Sequence, residues 1–348
     1  MSITSAPFGV TRSGQPVTAY TLANSHGCKA VVLDFGGTVQ SLIVPDRDGQ
    51  PTDVVLGYDS VADYEQGSCY YGAFVGRYAN RISGSRFPLD GREVRLTPNM
   101  RQDHLHGNFS FEVYDAAMEG NSLVLRRTSP DGEDGYPGAV TLTVTYTLTE
   151  QDGLVMDYRA TTDRPTVINL TNHAYFNLSG HASGTALDTV LQLNASRITE
   201  ADGESIPTGV VRDLAPEDPF NFTVPKAISR DIGADDPQLH FGGGYDHNYI
   251  LDLPSLETPV ATAVSPRSGI LMDVYTTQPA VQFYSANAIQ HDPAGHGKGG
   301  IVYPKRGGFC LETQHYPDSP NRPEFPSTEL RPGEVYHQVT EYRFSVSD

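Results

Sequence analysis

Val140-Thr-Leu-Thr-Val-Thr-Tyr-Thr-Leu148 alternates apolar residues with threonines without a break, and Thr149 extends the series. Side chains of an extended chain point to opposite faces with period two, so this run reads as a strand with one apolar face and one hydroxylated face. Glu150-Gln151-Asp152-Gly153 then supplies a turn, and Leu154, Met156 and Tyr158 resume the alternation on the expected hairpin partner. Similar short runs occur at residues 30–34, 38–44, 54–57, 123–127, 167–176, 278–284 and 335–346. Glycine (34) and proline (25) separate them, which is turn chemistry rather than helix chemistry. The best helical candidate is the short segment 60–66, and the glycine-rich stretch 292–300 reads as the most flexible loop. The pattern predicts an all-β protein, a large antiparallel sandwich or barrel, with no linker or repeat dividing residues 1–348 into more than one domain.

Composition narrows the function. A formal net charge of -18 opposes binding to nucleic acid or to an anionic membrane face. Three cysteines, Cys28, Cys69 and Cys310, form no close pair and imply reduced thiols in the cytoplasm. The N-terminal residues show no basic and apolar leader pattern, and no run approaches a membrane span. A soluble cytoplasmic protein is expected.

Two segments concentrate proton-transfer chemistry: Asn169-Leu-Thr-Asn-His-Ala-Tyr-Phe-Asn177 and Phe309-Cys-Leu-Glu-Thr-Gln-His-Tyr-Pro317. In the first, strand parity places Asn169, Thr171, His173, Tyr175 and Asn177 on one face, with Ile168 and Leu170 turned to the core. In the second, Glu312 and Gln314 share a face among apolar neighbours, so partial burial would raise the Glu312 pKa towards that of a useful base. A carboxylate and an imidazole among amides, hydroxyls and aromatics suit a neutral polyhydroxylated substrate, although a solvent-facing strand with an incidental histidine explains either segment alone. His104-Leu-His106-Gly107 places two histidines two apart; the next glutamate, Glu112, follows too late for a cupin-type metal site. One ligand-contacting and one structural histidine is the simpler expectation. Phe241-Gly-Gly-Gly-Tyr-Asp246 lacks the Lys-Ser/Thr of a phosphate loop and reads as a glycine turn presenting Asp246. Arg77 and Arg81, four apart in Gly76-Arg-Tyr-Ala-Asn-Arg-Ile82, supply forks that can bridge vicinal hydroxyls or pair with Glu312.

Taken in order, Gly76–Ile82, Leu105-His-Gly107, Asn169–Leu178, Tyr245-Asp-His-Asn-Tyr249, Val281-Gln-Phe-Tyr284 and Cys310–Asn321 resemble the aldose 1-epimerase, or mutarotase, family across most of the chain. The resemblance implies an antiparallel β-sandwich whose concave sheet holds a monosaccharide. It further implies an isomerase that interconverts the α and β anomers of free aldohexoses such as galactose and glucose, without metal or other cofactor. Carried over residue by residue, it puts the base on Glu312, the acid on His173 and an assisting histidine on His106. Asn80, Arg81, His106, Tyr175, Asp246 and Gln282 become sugar contacts, and His104 does not. Relatives commonly have a second glycine where this chain has Asn108, so a left-handed turn there would rely on asparagine's tolerance of positive φ. With no tryptophan in the chain, Tyr175 and Phe283 are the candidate stacking rings. Three alternatives stand beside this reading. They are a non-catalytic sugar-binding module, a glycoside hydrolase using Asp246 and Glu312 as its carboxylate pair, and an epimerase of hexose 6-phosphates.

Overall fold

The threonine-alternating run forms the strand Val140–Leu148, with every apolar position buried and the threonines exposed or half-exposed. It pairs antiparallel with Gly153–Thr162, from Val140 opposite Thr162 to Leu148 opposite Leu154. The connecting turn closes with Thr149 N–H donating to Gly153 O at 2.8 Å and puts Asp152 at φ 60°. These features come from a computed structural model that describes residues 1–347.

The hairpin sits inside a nine-stranded sheet. This sheet runs from Asp115–Glu119 through Ser122–Ser129, the hairpin, the C-terminal strand Tyr336–Val346, Ile270–Thr276, Ala261–Val264 and Val190–Leu193 to Lys226–Ala227. A second sheet has five strands in the order Pro207–Asp213, Arg197–Ala201, Asp246–Ile250, Ala280–Tyr284 and Cys310–Gln314. A third, also five-stranded, contains the first five strands of the chain, Ser2–Val10 to Pro51–Asp53. All strand pairs within these sheets are antiparallel.

One contiguous apolar core contains Tyr146, Met156, Met272 and Tyr342 from the large sheet together with Tyr249, Val281, Phe283 and Leu311 from the second. Each such side chain, fully buried, contributes about 1.5–3 kcal/mol. Tyr342 also donates its hydroxyl proton to Leu311 O at 2.7 Å, tying the layers together. Because neighbours alternate along a strand, burying Val281, Phe283 and Leu311 turns Gln282 and Glu312 to the opposite face. That face carries the site. The all-β antiparallel sandwich expected from the sequence is what the chain forms.

Two local expectations need correction. Residues 167–176 are not one strand: Thr166–Val167 pairs with Glu329–Leu330, Thr171–Asn172 pairs with Phe74–Val75, and Phe176 bridges Val55 and Phe309. The asparagines of this segment satisfy the irregular, buried backbone that results. Asn169 Oδ1 accepts from His315 N–H at 2.9 Å, and Asn177 Nδ2 donates to Gly307 O at 2.9 Å. Neither reaches the cleft, so the shared polar face reduces to His173 and Tyr175. The stretch 292–300 is tied down, because Lys298, 5 % exposed, donates to Asp53 Oδ2 at 2.6 Å and to Gln40 O at 3.0 Å. The glycine turn before Asp246 ends a short helix, Pro237–Gly242, capped by Asp236 and closed by Gly243 at φ 65°. The expected helix is present as Val61–Gln66, with Ser60 accepting from Asp63 N–H. Among the described residues, no helix is long and apolar enough to cross a membrane.

Candidate active site

The edge strand Cys310–Gln314 of the second sheet is flanked by the broken segment around His173. Phe176 and Phe309 exchange two backbone hydrogen bonds, N–H to O at 2.7 and 2.9 Å. His173 lies three residues before Phe176 and Glu312 three after Phe309, so the same antiparallel register sets them opposite one another. His173 Nε2 lies 3.6 Å from Glu312 Oε1, and both side chains are almost fully buried. Among the described residues, Glu312 Oε2 is buried without a hydrogen-bond partner.

His106 joins them from a left-handed turn, at φ 61°. The backbone N–H of Asn80 donates to His106 Nδ1 at 3.1 Å, while His106 N–H donates to Asn80 O at 3.0 Å. With Nδ1 an acceptor, the neutral ring carries its proton on Nε2. Gly107 has to be glycine: a Cβ there would sit 2.5 Å from Gly76 O, on a backbone at φ 71°. Asn108 has φ -109°, an ordinary right-handed conformation, so no second glycine is needed at this turn.

Glu312, His173, His106, Asn80, Arg81, Tyr175 and Asp246 line one cleft of about 400 Å³. Arg81 Nη2 stands 3.8 Å from Asp246 Oδ2, and Arg81 Nη1 donates to Asn80 Oδ1 at 3.2 Å. Arg81 therefore pairs with Asp246 and not with Glu312. Gln282 is outside the lining; its Nε2 donates to Asp246 Oδ1 at 2.7 Å from behind. Phe283 is fully buried against Tyr245, Tyr249 and Phe222, on the core side of the strand, and cannot reach a ligand. Strand alternation decides both: position 282 faces the site layer and position 283 the core. Arg77, 1 % exposed, spends its guanidinium on Pro137 O, Gly138 O and Thr166. His104 is buried with Nδ1 2.7 Å from Thr97 O and is a structural histidine.

The sequence reading missed Tyr70. Its ring lies 4.9 Å from that of His106 and, nearly parallel at 22°, 6.0 Å from that of His173. Tyr175 stacks on His173 at 4.9 Å and 20°. A pair of adjacent tyrosines, Tyr70-Tyr71, is the only trace of this in the sequence, and nothing in it marks an active-site wall.

Burial dominates the electrostatics. It pushes the Glu312 carboxyl well above the usual carboxylate range, with nearby Asp246 adding to the rise and Arg81 opposing it. It pushes the His173 imidazole from 6.5 down to about 4 and His106 well below 6.5. Both shifts at the His173–Glu312 pair express one preference: a neutral acid beside a neutral imidazole over an ion pair in a poorly solvated site. His106, His173 and Glu312 offer ligand atoms within 4.8 Å of one another. The arrangement fits proton exchange with a neutral molecule of sugar size.

The family model described as aldose 1-epimerase matches residues 18–343. The chain is 40 % identical over 352 residues to galactose mutarotase from Mus musculus, covering 100 % of both. It is 37 % identical over 338 residues to aldose 1-epimerase from Escherichia coli K12, covering 95 % of this chain and 96 % of that one. Among solved structures, an aldose epimerase homologue from C. elegans superposes with a TM-score of 0.87 at 29 % identity, covering 99 % of this chain and 100 % of that one. A strand-built cleft with an opposed glutamate and histidine, matched along nearly the whole chain, leads to one conclusion: this protein belongs to the aldose 1-epimerase family.

Proposed function

We propose that the protein is a mutarotase, an isomerase that interconverts the α and β anomers of free aldohexoses such as D-galactose and D-glucose. The observation that carries the reading is the 3.6 Å approach of His173 Nε2 to Glu312 Oε1 in a buried cleft. Glu312 takes the proton of the anomeric hydroxyl while His173 gives one to the ring oxygen. The C1–O5 bond breaks, C1 becomes an aldehyde, and rotation about C1–C2 presents its other face. His173 then recovers its proton from the C5 hydroxyl as O5 attacks C1, and Glu312 returns a proton to O1. Each positioned acid or base contributes about 10²–10⁴-fold.

Ring opening converts Glu312 carboxylate and His173 imidazolium into carboxylic acid and neutral imidazole. This is the neutral pair that burial favours. The site is therefore electrostatically matched to the open-chain intermediate, whose formation limits the uncatalysed reaction. His106 serves as a hydrogen-bond donor through Nε2, its Nδ1 being occupied by Asn80 N–H. Asn80, Arg81 and Asp246 hold the sugar's hydroxyls, and Tyr175 offers an apolar ring. Gln282 acts one step removed, by holding Asp246. A single arginine and no lysine line the cleft, which suits a neutral sugar better than a hexose phosphate. Three free, buried cysteines accord with a cytoplasmic location.

Polarimetry tests the reading. Freshly dissolved α-D-galactose and α-D-glucose should relax faster to the same final rotation with the EDTA-treated protein than without it. No acceleration with either sugar, in folded protein, would refute it and leave a binding module.

A further inference from the structure

Tyr70 belongs to the loop between the helix Val61–Gln66 and the strand Phe74–Val75. Its backbone sits at φ 55°, a left-handed conformation that costs energy for any residue with a side chain and that tends to persist where it serves function. Ala73 N–H donates to Tyr70 O at 3.0 Å, and the Phe111 ring packs 5.8 Å away, so the strained position is held. What the strain achieves is placement of the ring near-parallel to the His173 imidazole, at 6.0 Å, with the Tyr175 ring also near-parallel at 4.9 Å. The next residue, Tyr71, meets Tyr175 edge-on at 5.0 Å and buttresses it.

His173 is the proposed acid, and among the described residues no permanent counter-charge touches it. Glu312 faces Nε2 and alternates between charged and neutral during turnover. Cys310 Sγ lies 3.6 Å from Nδ1, and burial keeps that thiol protonated. His106 meets the ring edge-on at 5.2 Å and is held neutral. Farther off, Asp246 favours the imidazolium and Arg81 opposes it. The electron-rich faces of the two tyrosines, by contrast, stay in place and unchanged through the proton cycle. An aromatic face within about 6 Å of a cation attracts it, and more strongly where water is excluded.

We propose that Tyr70 is a positioning residue that, with Tyr175, stabilises protonated His173 through its aromatic face and so sets the strength of the catalytic acid. The inference rests on the mutarotase reading above. It calls for a perturbation of ring electronics at constant shape. Tyr70 is replaced by phenylalanine, as reference, and then by a series of progressively fluorinated phenylalanines, which drain the ring face of electron density without changing its outline. The His173 midpoint is followed by imidazole nitrogen NMR, and kcat by polarimetry at pH 7. Across the series the midpoint should fall stepwise by about one pH unit, with kcat falling up to about tenfold in parallel. A flat midpoint in folded variants would overturn the proposal. Tyr70→Leu extends the test, and if it does not fold the isosteric series still decides. His173→Asn run alongside separates the two readings: retained activity sinks the acid assignment, whereas lost activity with a flat series sinks only the role of Tyr70.

Discussion

Replacing His173 by asparagine should make the fold more tolerant of acid while abolishing the chemistry. His173 is fully buried, and its pKa falls from 6.5 to about 4, chiefly through desolvation of the charged ring. A base whose folded pKa lies below its unfolded value binds more protons when unfolded. It costs the fold nothing above pH 6.5, and stability is progressively lost as pH falls from 6.5 towards 4. Between pH 7.5 and pH 4.5 the loss works out at ~2.5 kcal/mol, because the unfolded imidazole is almost fully charged at the lower pH while the folded one is mostly neutral. Glu312, pushed upward, contributes with the opposite sign, favouring the folded state as pH falls, and this contribution is present in wild type and variant alike. For a chain of 348 residues this amounts to a Tm difference of about 3 °C. The assay is urea or thermal unfolding of wild type and His173→Asn at both pH values. Comparing the two cancels the pH-independent effects of the substitution. An advantage for His173→Asn that grows by ~2.5 kcal/mol on acidification is expected. A difference independent of pH, or an NMR midpoint for His173 near 6.5, would refute the argument that burial holds the His173 imidazole well below its ordinary pKa.

Glu312→Gln preserves shape and removes the base, so kcat should drop by about 10²–10⁴ with sugar binding retained; near-normal polarimetric turnover would remove Glu312 from its role. Gln282→Leu takes the donor from Asp246, and we expect KM to rise by about tenfold, roughly one lost hydrogen bond to a charged group. Adding Gln282→Leu to Asp246→Asn should then cost little more, and an additive penalty would mean that Gln282 contacts the sugar itself. Phe283→Leu should cost about 1–3 kcal/mol of stability, read by urea unfolding, and leave KM unaltered. A raised KM in a stably folded Phe283→Leu would return that ring to the binding site.

The threonine alternation at Val140–Leu148 made the antiparallel sheet legible, because a period of two is a local property and one apolar face must be buried. The chemical groups were legible for a similar reason. Glu312, His173, His106, Arg81, Asp246 and Asn80 sit in short motifs that resemble those of the aldose 1-epimerase family, and they line one cleft. What no local pattern contained was how these segments meet. The 3.6 Å approach of His173 to Glu312 depends on Phe176 pairing with Phe309, across 132 residues of intervening chain. Gln282 backs Asp246 and Phe283 enters the core, because burial on one side of a strand dictates what the other side presents. Tyr70 entered the site through a left-handed backbone that its residue type does not announce. Asn108 lost its anticipated strain because the turn takes φ -109° there. Sequence alone indicated the strand-rich antiparallel architecture and the residue types offered to the site, since both follow from residue type and short-range periodicity. Distances, pairings and the burial that drives Glu312 up and His173 down came only with tertiary structure, because they depend on which distant segments exclude water from one another.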